Sequence, residues 1–168
     1  MSYKKVRKNR KQKQTSKQVE TNDGIAFSIV EEPTKKEKLE ATVNRVYKIA
    51  LAISGFDSSN APELNIVPMV HVNCALMGSY NPKRHTVDVY LYEFLHGRRT
   101  IDIAALSNTL AHELRHAIQC QEVGCYKQFD MRYNFESAMR GYTDNKYEVD
   151  ARDAGETLGP KIVEQYNN

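Results

Sequence analysis

The sequence lacks any apolar run that approaches the ~20 residues needed to cross a bilayer. Its longest such run, 49–53, has five residues, and no apolar segment follows the charged N-terminus, so no secretory signal is predicted. The chain has only three cysteines, Cys74, Cys120 and Cys125, an odd and sparse set that excludes a disulfide framework. Cys120 and Cys125 are also too far apart for a CxxC metal knuckle. We therefore expect a protein without membrane contact, in a reducing cytoplasm.

Charge is divided unevenly along the 168 residues. The net charge is +3, but residues 1–17 hold eight Lys or Arg and no acidic residue. Removing those eight from the 24 basic residues of the chain leaves 16, against 21 acidic residues. Residues 1–24 have almost nothing apolar to bury, so they are predicted to form a disordered basic arm. Residues 25–168 are then predicted to form one mildly acidic domain, long enough to bury a core.

The spacing of apolar residues in the domain predicts both strands and helices, and hence the α+β class. Alternation at 25–30 and 86–91 is typical of strands, whereas 100–122 carries an apolar stripe at helical spacing. In chain order, the pattern predicts a strand at 25–30, a helix from Pro33 to Ser54-Gly55, and strands at 64–70, 72–80 and 86–91. A helix at 100–122 and a short helical piece at 135–140 follow. The last predicted helix begins at Asp144 or Asn145 and is broken or kinked at Gly159-Pro160.

Residues 112–116 read HELRH, an HExxH motif within the predicted helix 100–122. Residues four apart lie on one face of a helix, so the imidazoles of His112 and His116 can both reach one metal ion. At about 100° per residue, that face is opposite the apolar stripe of the helix. Glu113 points to the side, where it can reach a metal-bound water without ligating the metal. The motif predicts a zinc site with Glu113 as the catalytic base.

A zinc site needs a third protein ligand, and the chain has no histidine after His116. The HExxHxxGxxH pattern is therefore excluded, and a carboxylate from the C-terminal helix is expected instead. The candidates are Asp144, Glu148, Asp150, Asp153 and Glu156.

Glu148 is our choice, with Asp150 as the second candidate. The helical neighbours of Glu148 are small, namely Ala151, Gly155 and Gly159, so this face can approach the motif helix closely. An alternative role stays open, because Asn145 followed three residues later by Glu148 is also a capping-box pattern.

Two segments of the chain resemble a known family. LAHELRHA at 110–117 and YEVDAR at 147–152 are similar to the zinc-binding motifs of zincin metallopeptidases of the gluzincin type, particularly small ImmA/IrrE-like and phage-type minimal gluzincins. The second segment is similar to the family's ExxA or ExEA element, which implies the ligand role for Glu148. The resemblance implies a zincin-like fold, in which a small mixed sheet packs on the HExxH helix and a C-terminal ligand helix.

Two residues depart from the family's pattern. Arg115 is charged where zincins usually carry an uncharged residue, and Arg152 stands where many gluzincins have an acid that orients the first histidine. Because a ligating histidine usually donates its other N–H to an acceptor, His112 is expected to use Asp150 or Asp153 instead.

The leading hypothesis is a zinc-dependent metallopeptidase with one Zn²⁺ per chain, held by His112, His116 and Glu148. The metal would lower the pKa of its bound water toward ~7 and polarise the scissile carbonyl, while Glu113 would pass a proton to the leaving amine. The strands at 72–80 and 86–92 are predicted to form a hairpin around the turn at 81–84, and this hairpin could offer an edge to an extended protein or peptide substrate. Tyr142 and Tyr147 lie near the right stretch for an electrophilic helper, although packing is the commoner role of tyrosine.

Two alternatives come from other classes of protein. Residues 1–17 could neutralise phosphates, which predicts a nucleic-acid-associated accessory protein with weak, salt-sensitive binding, although a solubilising tail explains the charge equally well. A zincin-like fold could also serve binding without catalysis, but the intact Glu113 disfavours that reading. A cytoplasmic location is expected, in the host if the chain is phage-encoded.

Overall fold

The computed structural model describes residues 34–56, 59–68, 76–96 and 100–168. The basic arm predicted at 1–24 and the strand predicted at 25–30 lie outside these ranges, as does Cys74. The boundary between arm and domain therefore stays a prediction.

A three-stranded sheet and four helices make up most of the described part, which confirms the α+β class. The elements are α1 (Lys35–Ile53), β1 (Glu63–Val67), β2 (Gly78–Asn81), β3 (Thr86–Tyr90), a 3₁₀ turn (Leu91–Phe94), β4 (Leu95–His96), β5 (Thr100–Ile101), α2 (Ile103–Val123), α3 (Tyr126–Asp144) and α4 (Lys146–Asn167). In the sheet, β3 is central and pairs parallel with β1 and antiparallel with β2. A separate two-stranded ribbon joins β4 and β5.

Both edges of the sheet bear on sequence predictions. β1 is an edge strand that ends at Val67, immediately before Pro68, as expected for a residue that cannot donate to a ladder. β2 and β3 form the predicted hairpin, but β2 is Gly78–Asn81 rather than 72–80, and residues 69–75 are not described. Within the described residues, β2 pairs only with β3, so no other described strand covers its outer edge.

α1 begins with a capping box in which Thr34 and Glu37 bond reciprocally to each other's backbone N–H. It ends before Gly55, whose φ of 80° is the left-handed conformation that glycine adopts readily. Of the apolar positions that helical spacing predicts for α1, Val43, Val46 and Ala50 are fully buried, whereas Leu39 and Ile53 are partly buried.

α2 runs through the middle of the fold and packs on α1, α3, α4 and the sheet. The side chain of Asp102 caps it by accepting the Ala105 N–H at 3.0 Å, and Gly124 ends it with φ 87°. The stripe predicted from the sequence is fully buried at Leu106, Leu110 and Leu114, where it meets β3 and α1 in one core. The opposite side of α2 carries the HExxH motif.

α3 is longer than the sequence predicts. We expected a mixed stretch at 124–141 with helix only at 135–140, whereas the chain is helical from Tyr126, with one non-helical residue at Gly141 (φ 79°, ψ 168°). Phe129 is the one buried residue of α3, while Met131, Phe135 and Met139 are exposed. Apolar periodicity predicts helices that bury a stripe, and α3 buries little.

The break predicted at Gly159-Pro160 is wrong, because α4 continues through both residues to Asn167. Pro160 lacks an N–H and so leaves the Glu156 carbonyl without its helical partner. Pro160 and Glu156 are both exposed, so water can donate to that carbonyl. Gly159 and Ile162 are buried and hold the helix against the core. Packing therefore outweighs the local cost of proline. No described helix has the combined length and apolar character that spanning a membrane requires.

Candidate metal centre

The HExxH segment places two imidazoles one helical turn apart on α2. The ring centroids of His112 and His116 are 4.8 Å apart, and the two Nε2 atoms are 3.1 Å apart. The side chain of His112 is 18% exposed and that of His116 is 9% exposed. The α2 face opposite the leucine stripe therefore presents two nitrogen ligands at the floor of a cleft.

Glu148 of α4 completes a set of three ligand atoms. Its Oε1 lies 3.2 Å from Nε2 of His116, and its Oε2 lies 3.4 Å from Nε2 of His112. Ligands about 2.0–2.2 Å from a tetrahedral zinc ion lie about 3.3–3.6 Å from one another. The His112, His116 and Glu148 group could therefore hold a metal ion.

Glu148 does not form the alternative capping box with Asn145. Asn145 caps α4 by accepting the Tyr147 N–H at 2.9 Å, and its own N–H donates to the carbonyl of Tyr142. The Glu148 carboxylate, although at the capping-box position of the helix, turns to the two histidines.

One oxygen of Glu148 gives an independent test of whether the site fits a metal. Oε1 accepts the Tyr133 hydroxyl at 2.5 Å, but Oε2 is buried and accepts no hydrogen bond from any described residue. Leaving a buried carboxylate oxygen unsatisfied costs free energy, and such atoms are rare in folded proteins. A cation between the carboxylate and the imidazoles would satisfy it, so the residues present fit a bound metal.

The two carboxyl groups of the site have pKa values shifted in opposite directions. Burial would raise the pKa of Glu148, but the adjacent imidazoles of His112 and His116, together with the Tyr133 hydroxyl, hold it below its usual range. Burial raises the pKa of Glu113, and this effect exceeds the opposing attraction of the two histidines. One carboxylate is thus kept ionised, as a ligand must be, and the other is suited to proton transfer.

Asp150, the second candidate for third ligand, has other partners. Its Oδ2 accepts the Nε–H of Arg115 at 2.6 Å and the side-chain N–H of Gln119 at 2.7 Å. Arg115 also pairs with Glu122 at 3.0 Å, so the charged residue that departs from the family's pattern has an ion-pairing role at the helix surface. The remaining acidic candidates also lie outside the His/His/Glu group: Asp144, Asp153 and Glu156.

Gln119 connects Asp150 to the metal centre. The histidine that it reaches is His116, whereas the sequence predicted His112 as the partner of Asp150. Its amide nitrogen donates to the carbonyl of Tyr147 at 2.9 Å and to Asp150, so its oxygen must face Nδ1 of His116, 2.8 Å away. An amide oxygen only accepts, so His116 carries its proton on Nδ1. The lone pair of Nε2 is then directed at the position that a metal would take.

Tyrosines shape the opposite wall of the cleft. Tyr133, which was not among the predicted site residues, bonds Glu148 and packs edge-on against His116 with ring centroids 6.0 Å apart. Tyr142 lines the same cleft, whereas Tyr147 packs on Phe129 at 5.5 Å. The candidate helper Tyr142 is therefore at the site, and Tyr147 contributes packing and a backbone carbonyl.

Small residues bring α4 close to α2, as the sequence predicts. A Cβ added to Gly155 would lie 3.1 Å from the Asn108 carbonyl oxygen and 3.8 Å from Cβ of His112. A Cβ added to Gly159 would lie 1.8 Å from Oδ1 of Asn108. This close approach lets the short arm of Glu148 reach both histidines.

Glu113 lies beneath the edge strand β2. The backbone N–H of Tyr80 is a hydrogen-bond donor to its carboxylate, and a Cβ added to Gly78 would lie 3.4 Å from its Cγ. Together with α3, β2 encloses a cleft of about 250 Å³ that opens on His112, Glu113 and His116. The arrangement leaves room beside three protein ligands, which is what distinguishes catalytic from closed structural zinc sites.

Comparison with models of known protein families, with curated proteins and with solved structures finds no match to this chain.

Proposed function

We propose that this protein is a zinc-dependent metallopeptidase with a zincin-like fold, similar to that of the small gluzincins that its motifs resemble. One observation carries the proposal: the HExxH histidines and Glu148 converge in a cleft where Glu113, the glutamate of the motif, is buried beside them. A closed structural zinc site does not need a carboxyl group beside its ligands, nor an adjoining cleft.

His112, His116 and Glu148 would hold the metal, and the two-histidine, one-glutamate set is that of known catalytic zinc sites. Zinc supplies a Lewis acid that polarises a peptide carbonyl and acidifies water. Glu113 would take the proton of the attacking water and deliver it to the leaving amine. Its raised pKa makes Glu113 a stronger base toward that water.

Only one of the two predicted hairpin strands is available to pair with a substrate. β3 lies between β1 and β2, so its hydrogen-bonding groups are used on both sides. The outer edge of β2, which no described strand covers, borders the cleft at Gly78, Ser79 and Tyr80. An extended peptide could add to that edge and place a main-chain carbonyl over the histidines.

The decisive experiment measures zinc content and peptide cleavage in parallel. We expect one zinc ion per wild-type chain, loss of zinc in His112→Ala, and retained zinc in Glu113→Gln with a ~10²–10⁴-fold lower rate on a peptide library. Glu164→Gln, an exposed residue of α4, serves as the control and should keep both properties. A wild-type chain without zinc, or equal cleavage by Glu113→Gln, would refute the proposal.

The nucleic-acid hypothesis rests on residues 1–17, which lie outside the described ranges, and is compatible with the peptidase. Deleting residues 1–20 should abolish salt-sensitive binding to DNA or RNA, and unchanged binding would remove the arm's role. Binding without catalysis would show as zinc-dependent peptide binding in the absence of any cleavage. We place the activity in the cytoplasm, where the free thiols Cys120 and Cys125 would be kept reduced.

A further inference from the structure

The cleft has two halves that meet over the motif helix. Both halves border Gly78, His112 and Glu113, which places this junction at the proposed reaction centre. The first half follows β2 toward Tyr80 and Pro82 and is lined by Asp130 of α3. The second half extends to Met77, before β2, and borders α4. An extended substrate along β2 would place side chains in both.

Asp130 is the acidic residue that distinguishes the first half. It is partly buried, and no basic side chain in the described ranges pairs with it. The second half instead contains both Arg152 and Glu156, so opposite charges are close together there. With a divalent metal balanced by Glu113 and Glu148, Asp130 would leave the first half with a net negative charge.

The walls around Asp130 suit a long cationic side chain. Tyr80, Pro82, Phe129 and Tyr133 line this half, so apolar and aromatic surface surrounds one carboxylate. Lys and Arg bury their methylene stems along apolar surface while their charged ends find a polar partner, and aromatic faces attract cations. A bound cation would also give this carboxylate the basic partner that no described residue supplies.

We propose that Asp130 is a specificity-determining residue, which selects a Lys or Arg side chain next to the peptide bond that is cleaved. This inference rests on the proposed peptidase function and names the class of its substrate. The metal and Glu113 act on the main chain, which every peptide shares. Discrimination therefore has to come from side-chain contacts such as this one.

The test has a cleavage arm and a binding arm. A peptide library digested with the zinc-loaded wild type should show Lys or Arg enriched at one position flanking the cleaved bond. Matched peptides with Lys, Leu or Glu at that position should then differ in kcat/KM by ~10–100-fold in favour of Lys, the range of a hydrogen bond to a charged group. Asp130→Asn should remove most of this ratio, and Asp130→Lys should reverse it toward Glu.

Asp144→Asn is the matched control, because this exposed carboxylate of α3 does not line the cleft, and it should leave the ratio unchanged. In the binding arm, zinc-loaded Glu113→Gln should bind the Lys peptide more tightly than the Leu peptide by fluorescence anisotropy, and adding Asp130→Asn should abolish the difference. Zinc content and circular dichroism establish that each variant folds.

The outcomes separate this inference from the proposed function. Cleavage with equal preference for Lys, Leu and Glu would overturn the role of Asp130 and leave the peptidase intact. Selective binding of the Lys peptide without any cleavage would support the role of Asp130 and overturn the peptidase. Neither cleavage nor selective binding by zinc-loaded protein would overturn both.

Discussion

The carboxamide oxygen of Gln119 lies 2.8 Å from Nδ1 of His116, at the far side of the ring from the ligand nitrogen. This contact sets the tautomer of His116, because the two N–H groups of Gln119 are already committed to the Tyr147 carbonyl and to Asp150. In its neutral form, His116 therefore carries the lone pair at Nε2, the nitrogen that lies 3.2 Å from Glu148. Partners of this kind orient ligands and raise their basicity.

Replacing Gln119 with Leu should weaken zinc binding by ~10–100-fold, because His116 loses the acceptor that fixes its ring and tautomer. Gln119→Glu keeps an acceptor at this position and should retain more affinity than Leu, despite repulsion from Asp150. Competition with a chromogenic zinc chelator measures the affinities. Gln128→Leu, on the exposed face of α3, is the control. Equal zinc affinity for Gln119→Leu and wild type would show that the contact is incidental.

Gln119 and Tyr133 show what the sequence could and could not predict about the site. Gln119 follows His116 by three residues on one helix, so helical spacing alone could have predicted their contact. Tyr133 is one of ten tyrosines, and only the packing of α3 against α2 and α4 brings it to Glu148. A long-range contact of this kind leaves no periodic signal in a single sequence.

Tyr133→Phe should lower zinc affinity while leaving the fold intact. The hydroxyl donates to Oε1 of Glu148 at 2.5 Å and so fixes the orientation of this carboxylate toward the two histidines. Its loss would let the ligand turn away from the position that the metal takes. The phenyl ring keeps its packing against Phe129. We expect a stability change of about 1 kcal/mol and a ~10-fold or larger drop in affinity.

Urea unfolding and zinc competition measure these two effects separately. Tyr92→Phe, at a tyrosine that is 49% exposed, should change neither quantity. If Tyr133→Phe lowers stability by several kcal/mol with unchanged zinc affinity, the hydroxyl is structural and does not support the ligand.

Glu148→Ala and Asp150→Asn distinguish the two acidic candidates for third ligand. Glu148 contacts both histidines, whereas Asp150 bonds Arg115 and Gln119. Glu148→Ala should therefore lose stoichiometric zinc and the increase in melting temperature that zinc gives the wild type. Asp150→Asn should keep one zinc ion per chain, with at most a ~10–100-fold loss of affinity through Gln119. The reverse ranking, measured by elemental analysis and thermal unfolding, would assign the ligand to Asp150.

The choice of Glu148 from the sequence depended on the small residues along one face of α4. The same helix also shows one prediction that failed. Ala151 is buried, and Gly155 and Gly159 lie against Asn108 of α2, so the expectation that small residues allow close packing was correct. The helix break predicted at Pro160 was wrong, because that prediction considered only the backbone preference of glycine and proline. Tertiary contacts on one face of α4 stabilise a helix that its local sequence disfavours.

Gly159→Ala tests this packing directly. Alanine is favoured over glycine within a helix by about 1 kcal/mol, so an open site would be stabilised by the change. Here the new Cβ would lie 1.8 Å from Oδ1, 2.9 Å from Cγ and 3.2 Å from Cα of Asn108. Overpacking of this kind typically costs about 1–3 kcal/mol, so we expect net destabilisation and weaker zinc binding as α4 moves away from α2. Adding Asn108→Ala should restore part of the lost stability in a double-mutant cycle, since it removes the atoms nearest the new methyl group. Increased stability of Gly159→Ala in urea unfolding, with unchanged zinc affinity, would show that the close approach of the two helices does not position Glu148.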